Sequence, residues 1–420
     1  MQQLLRITAF SVAVLIGGTA FAQGPVKITL DQAIQMASDH NHALKAARTT
    51  ILQNQAQEIT ANLRPNPTIS GDTQFLPVFQ PGNFTTNYIN EIGQFDVGIG
   101  YLFERGGKRQ RRLEAAQDQT AVTRSTVDDN ERTLAFSVAT QFVNVQLAES
   151  TLDLALQDVK SFQNSVDISE ARYKAGDISE ADYLKIKLQL LQFQSDVASA
   201  RMSKAVALVS LREFLGYESV PADFDVAGEL EFQPLNLKEE DLAAMALKQR
   251  ADLRAAQQGI TAAQSQIALA QANGKKDVTG SLDYSHVSGY SSLSIFGSID
   301  LPIFDRNQGE IARTRYALTQ AQELELAASE TVVGDVYTAY ETLHANDEIM
   351  ALYRGGYLDE SQQSRDISEY AYKRGAASLL DFLDAERSYR ATQLAYRQAL
   401  AAYALALEQM REAVGTRNLP

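Results

Sequence analysis

Asp381 and Asp384 lie three residues apart in a stretch of helical spacing, which sets two carboxylates on one helix face. Such a pair can relay a proton or attract a cation, but taken alone on a helix it reads as solvated surface. His40 and His42 are the one close pair among four histidines and have no third ligand type beside them, so they read as solvated too. The signatures of nucleotide hydrolysis, serine acyl transfer and zinc proteolysis are all missing. Gly98-Ile99-Gly100 lacks the third glycine of a dinucleotide fingerprint and sits inside an alternating run. The absence of cysteine removes disulfides, thiolate metal sites and a lipid-bearing N-terminal Cys together. The chain reads as a non-enzyme with no cofactor and no resident metal.

A third group of charges, Lys108, Arg109, Arg111 and Arg112, opens a helix at the end where the backbone dipole disfavours cations. Just before it the sequence alternates, with Phe95, Val97, Ile99, Tyr101 and Phe103 on one face and Gln94, Asp96, Gly98 and Gly100 on the other. Placed beneath a membrane strand, the basic turn would meet lipid headgroups at the membrane surface. A solvated charged turn fits the residues equally well.

The elements that must position these groups come in two copies. Asp167-Ile168-Ser169-Glu170-Ala171-Arg172-Tyr173-Lys174-Ala175-Gly176 returns as Asp366-Ile367-Ser368-Glu369-Tyr370-Ala371-Tyr372-Lys373-Arg374-Gly375, identical at seven of ten positions. Asp182 stands in the first copy where Asp381 stands in the second. Gly176 and Gly375 suit the left-handed end of a helix, so they read as tips of two helical hairpins. The first hairpin is expected over 108–216, with apolar positions Val138, Phe142, Val145, Leu152, Leu156, Val159 and Val166 in a coiled-coil stripe and a return arm carrying Leu184, Leu188, Leu191, Leu208, Leu211 and Leu215. The second is expected over 309–415, its descending helix running unbroken from about Gly309 to Lys373. A helix over 30–63 ends at Arg64-Pro65-Asn66-Pro67. Strand hairpins are expected over 67–104 and 277–304, the second pair spanning Ser281 to Tyr290 and Leu293 to Ile303. The domain plan is a signal peptide over 1–22, one repeat over 23–235 and a second over 236–420.

Arg6, the apolar run Ile7 to Ala20 and the small residues of Ala20-Phe21-Ala22 form the secretory pattern, so the mature chain is expected to begin near Gln23. A formal charge of −14 and no basic face argue against nucleic acid as a partner. Each descending helix of about 66 residues is roughly 100 Å long. Four strands cannot close a barrel. From alternation alone, a small soluble sandwich and a barrel wall completed by neighbouring copies fit equally. Secretion and arms too long to bury their own stripes favour the oligomeric barrel, continued by a helical tube.

The tip pattern Arg172-Tyr173-x-x-Gly176-x-Ile178-Ser179, the repeated half-chain and Phe304-Asp305-Arg306 resemble the TolC family of outer-membrane efflux ducts over essentially the whole mature chain. Leu63-Arg64-Pro65-Asn66-Pro67 and Glu104-Arg105-Gly106-Gly107-Lys108-Arg109 resemble its heavy-metal efflux branch. The resemblance implies a mainly α fold with a membrane β-barrel portion: a homotrimer with a twelve-stranded barrel and a periplasmic tube of coiled-coil hairpins. It implies a passive exit duct in the outer membrane, docked to a periplasmic adaptor and an inner-membrane pump of the resistance-nodulation-division type, with heavy-metal cations as one substrate class. Asp381 and Asp384 match the family's constriction acids, with Asp182 as their counterpart. Tyr173, Gly176, Tyr372 and Gly375 fall where the adaptor would touch. Many relatives carry a lipidated N-terminal Cys, which this chain lacks, so its anchoring would rest on the barrel. The competing class is a secreted coiled-coil scaffold or adhesin-like protein without a pore.

Overall fold

The computed structural model describes residues 26–235 and 237–420. The expected signal peptide lies outside the described residues. The elements follow as β1 (Lys27–Ile28), α1 (Leu30–His40), α2 (His42–Ala61), β2 (Thr68–Gln74), α3 (Thr86–Glu91), β3 (Gln94–Phe103), α4 (Lys108–Ala175) and α5 (Glu180–Leu215). Then come β4 (Asp225–Val226), α6 (Glu239–Gln249), α7 (Ala251–Asn273), β5 (Val278–Val287), β6 (Tyr290–Ile299), α8 (Gln308–Leu352), α9 (Leu358–Lys373) and α10 (Leu379–Val414). No described helix is long and apolar enough to cross a membrane, which says nothing of a β-barrel.

The helices form one curved layer built on α4, which at 68 residues is about 100 Å long. In the half nearer the tips the order is α9, α10, α4, α5; nearer the sheet it is α8, α7, α4, α2. One core joins α6, α8 and α10 around Leu242, Val332, Val336, Tyr403 and Met410. Another joins α1, α4 and α5 around Ala33, Val138, Phe142, Leu211 and Leu215. Near the tips, Phe162 of α4 stacks on Phe382 of α10 at 6.1 Å and meets Phe193 of α5 edge-on at 4.8 Å, so a single ring binds both hairpins. The short β1 and β4 pair in parallel and tether the link after α5 to the start of the chain.

Above the helices β2-β3-β5-β6 form an antiparallel sheet. Its register places Ile69, Val97, Ile99, Leu282, Tyr284, Leu293 and Ile295 on one face, exposed or half-exposed. The opposite face carries Ser70, Asp72, Asp96, Gly98, Asp283, Ser285 and Ser294. β2 and β6 each keep one unpaired edge.

Four expectations are corrected. The helix over 30–63 breaks at Asn41, which caps α2 by accepting from Leu44 N and donates to Phe214 O at 3.1 Å. The second strand pair begins about three residues earlier than expected, because Ser288 and Gly289 take left-handed φ of 49° and 80° and make the turn. The descending helix of the second hairpin is interrupted at Tyr353–Tyr357 by a wide π-turn, where Gly356 leaves helical geometry at φ 118°, ψ −6°. The apolar seams are also placed differently. Leu156 is exposed, as are Leu184, Leu188 and Leu191, while Asp158, Phe162, Ser165 and Ser169 of α4 and Ile186, Leu190 and Phe193 of α5 are buried.

Candidate functional site

At the first tip α4 ends on Gly176, whose φ of 82° lets Asp177 N donate back to Arg172 O at 2.9 Å. At the second, Gly375 has φ 75° and Ala376 N donates to Ala371 O at 2.8 Å. A side chain at either glycine would meet open space, so the requirement is one of backbone conformation alone. Ser179 and Ser378 then cap the return arms, accepting from Asp182 N and Asp381 N at 3.1 Å each.

The tip residues fall into unlike surroundings. Tyr173 stacks on Tyr183 at 5.3 Å and remains 37% exposed. Tyr372 is 6% exposed, stacked on Phe382 at 5.4 Å beneath the Arg172 guanidinium, with no hydrogen-bond partner for its hydroxyl among the described residues. Asp381 and Asp384 are both exposed on α10, flanking the inward Phe382. Asp381 is engaged in a capping box, its Oδ2 accepting from Ser378 N at 3.1 Å and Ser378 Oγ at 2.7 Å. Asp384 faces Arg387 at 3.2 Å, and Asp182 faces Lys185 at 3.6 Å.

The basic turn lies at the junction of sheet and helices. Lys108 pairs with Asp277 at 2.7 Å, which also accepts from Arg105 N, so the turn of the first half is tied to the start of β5 in the second. Arg112 forks onto Glu104 and donates to Ala61 O and Leu63 O, fastening the end of α2. Arg111 pairs with Glu114 at 2.7 Å. Arg109, which is half-buried, has no carboxylate partner among the described residues.

Two sets of residues were not singled out from the sequence. On the polar sheet face Asp72 stands opposite Asp96, and Asp283 opposite Gly98, where an added Cβ would come within 1.9 Å of the Asp283 carboxylate. Between the hairpins, Arg390 binds Asp158 at 2.7 Å and Asp196 at 2.8 Å over the Phe193 ring, beside the buried Glu386. Charged residues at i+4 and i+8 from an inward Phe382 were the available signal.

A layer of helices about 100 Å long, a sheet apolar on one face and polar on the other, and paired hairpin tips are the parts of an outer-membrane channel subunit. The model of the outer membrane efflux protein family matches residues 33–217 and 242–416, and the chain belongs to that family. It is similar to the cobalt-zinc-cadmium resistance protein CzcC of Cupriavidus metallidurans, 23% identical over 89% of this chain and 86% of that one. It is also similar to the cation efflux system protein CusC of Escherichia coli strain K12, 25% identical over 89% of this chain and 83% of that one. Among solved structures, a membrane protein from Pseudomonas aeruginosa superposes with a TM-score of 0.76 at 20% identity, covering 94% of this chain and 91% of that one. The protein is an exit duct of the outer membrane, and the pore-less scaffold is set aside.

Proposed function

We propose that three copies close a passive duct that takes heavy-metal cations from an inner-membrane pump of the resistance-nodulation-division type through a periplasmic adaptor. The observation that carries the assembly is that every layer of the chain is left open on the same two sides: β2, α2 and α5 on one, β6, α8 and α9 on the other. Along α5 the exposed Leu184, Leu188, Leu191, Met202, Val206 and Val209 recur at coiled-coil spacing and stay uncovered by the described residues. Joining one side to the other side of the next copy is a head-to-tail contact, which closes into a ring. Three copies supply twelve strands, with Val97 and Ile99 toward lipid and Asp72, Asp96 and Asp283 toward the passage. Replacing Leu191 by Asp is expected to shift the purified protein from trimer to monomer by native mass spectrometry, with helicity kept. Intact trimers would overturn the arrangement.

The two halves, 23–235 and 236–420, act in this reading as two copies of one unit, and no catalytic step is involved. Tyr173, Gly176 and Gly375 lie at the end farthest from the sheet, where an adaptor would reach them, while the buried Tyr372 would hold the second tip in shape beneath them, and Arg109 leads the basic turn toward lipid headgroups. Asp182, Asp381 and Asp384 would stand in rings around the axis and favour cations. The metal assignment draws on relatives named for cobalt, zinc, cadmium and cation efflux and on the acidic inner face of the sheet. Because Asp381 also caps a helix, Asp384→Asn is the cleaner test. It is expected to weaken divalent-cation block of single-channel current in planar bilayers while the trimer persists. Unchanged block would return Asp384 to solvated surface.

A further inference from the structure

The interface between the two hairpins holds a carboxylate with no ion-pair partner among the described residues. Glu386 is 5% exposed and lies one helical turn from Phe382 and one from Arg390, on the face of α10 that packs against α4. Phe382 stacks on Phe162, and Arg390 Nε reaches Asp158 Oδ2 at 2.7 Å, so Glu386 is held between two residues that sit one turn apart on α4. The cations around it are engaged elsewhere: Arg390 with Asp158 and Asp196, Arg365 with Asp366 at 3.1 Å and Glu369 at 3.8 Å, Lys373 with Glu369 at 2.6 Å.

The charged groups facing Glu386 are therefore Asp158 from α4, Asp196 from α5 by way of Arg390, Arg365 and Glu369 from α9, and Arg390 on its own helix. Burial foremost raises the Glu386 pKa, to about 7; Arg365 and Arg390 pull it down while Asp158 and Glu369 push it up. Asp158, itself raised chiefly by burial, keeps Arg390 as its partner. An ionised Glu386 would thus add a fourth negative charge, after Asp158, Asp196 and Glu369, to a layer whose cations are already bound.

We infer that Glu386 is a proton-operated lock between the two hairpins: uncharged, it lets α9 and α10 pack on α4 and α5, and ionised, it drives the second tip away from the first. The Gly356 turn at the head of α9 provides the joint about which that tip can swing. An acid whose pKa is raised in the packed state binds its proton more tightly there than in the separated state. Packing therefore strengthens as pH falls from about 7 toward the ordinary carboxylate range, and is at its weakest, without further change, above 7. Any consequence for flow rests on the duct reading above; the movement itself does not.

The chain has no cysteine, so Ala175→Cys with Ala376→Cys places the only two thiols on the exposed tips. Spin labels on this pair, in full-length assemblies diluted with unlabelled chain, report the distance between tips by pulsed electron paramagnetic resonance. Between pH 5.5 and 8.5 the distance is expected to lengthen with a midpoint near 7. In Glu386→Gln it should stay short throughout, and Asp158→Asn, which frees Arg390 to pair with an ionised Glu386, should shrink the lengthening. A distance that ignores pH in the parent protein, or that still follows pH in Glu386→Gln, overturns the lock. Bilayer conductance on the same samples separates the two readings. Moving tips without conductance at any pH uphold the lock and refute the duct, whereas conductance with immobile tips overturns the lock and leaves the duct standing.

Discussion

The two hairpins start from nearly one sequence and acquire different interiors, and the difference lies in how many neighbours each return arm has. In the spacing fixed by the repeated tip, Lys187 corresponds to Glu386, Leu191 to Arg390 and Val166 to Arg365. α5 touches α4 on one side and presents its leucine seam outward on the other, whereas α10 is enclosed between α9 and α4. The position that is exposed Lys187 in the first hairpin is therefore buried Glu386 in the second. A repeated sequence set in unrepeated surroundings diverges first at the face whose neighbour changes. In the proposed ring α5 would meet α9 of the next copy through its exposed leucines, where α10 meets α4 through an ionic layer.

The largest break in this comparison should come from Phe162, the ring shared by both hairpins. Phe162→Ala leaves a cavity against Phe193 and Phe382 and is expected to cost about 3–5 kcal/mol, seen as a lower denaturation midpoint. Equal loosening of both tips in hydrogen exchange would show that the ring serves both; loosening of one alone would assign it to that hairpin. Next comes the ionic layer that only the second hairpin has. Arg390→Leu strands the Asp158 carboxylate, whose side chain is 7% exposed, at a cost of about 3 kcal/mol near neutral pH. Asp158 already has a raised pKa, and losing its cation raises it further. The destabilisation should therefore shrink as pH falls through that raised pKa and protonation removes the charge. A pH-independent loss would mean that packing, not charge, was broken. The smallest effect separates the two caps. Asp381→Asn weakens a capping box that the first hairpin lacks and should cost about 1 kcal/mol, while Asp182→Asn should change stability by less than half of that by calorimetry.

Much of this molecule could be read from residue types. The tips were legible because Gly176 and Gly375 need a left-handed backbone, and the faces of β3 because Val97 and Ile99 alternate with Gly98 and Gly100 without interruption. Asn41 was missed since a capping side chain in a helical pattern looks like any polar residue, and its bond to Phe214 O comes from a segment 173 positions away. The turn at Ser288 and Gly289 was overrun because serines and tyrosines keep alternating through it. The α5 seam was seen as apolar but assigned to the wrong side, for spacing gives a stripe and cannot say whether the chain itself covers it. The charges of the hairpin interface were passed over for a related reason: Glu386 and Arg390 look like surface until Asp158 and Asp196 are brought across from other helices.

The wide turn at Tyr353–Tyr357 solves a problem of rotation set by chain length. Arg105 and Asp167 are 62 positions apart, while their counterparts Arg306 and Asp366 are 60 apart, so the second descending arm is two residues short. An uninterrupted helix would carry that shortfall to the tip as a turn of about 200° around its axis, with only about 3 Å lost in length. The inward side of α9 would then face away from α10. The backbone leaves helical geometry at Gly356, which allows the angular phase to change within a single turn, and α8 and α9 are both seated on α10. Restoring the two residues and closing the turn into regular helix is in this sense one change, and either made alone should unseat the tip that the other was keeping in phase.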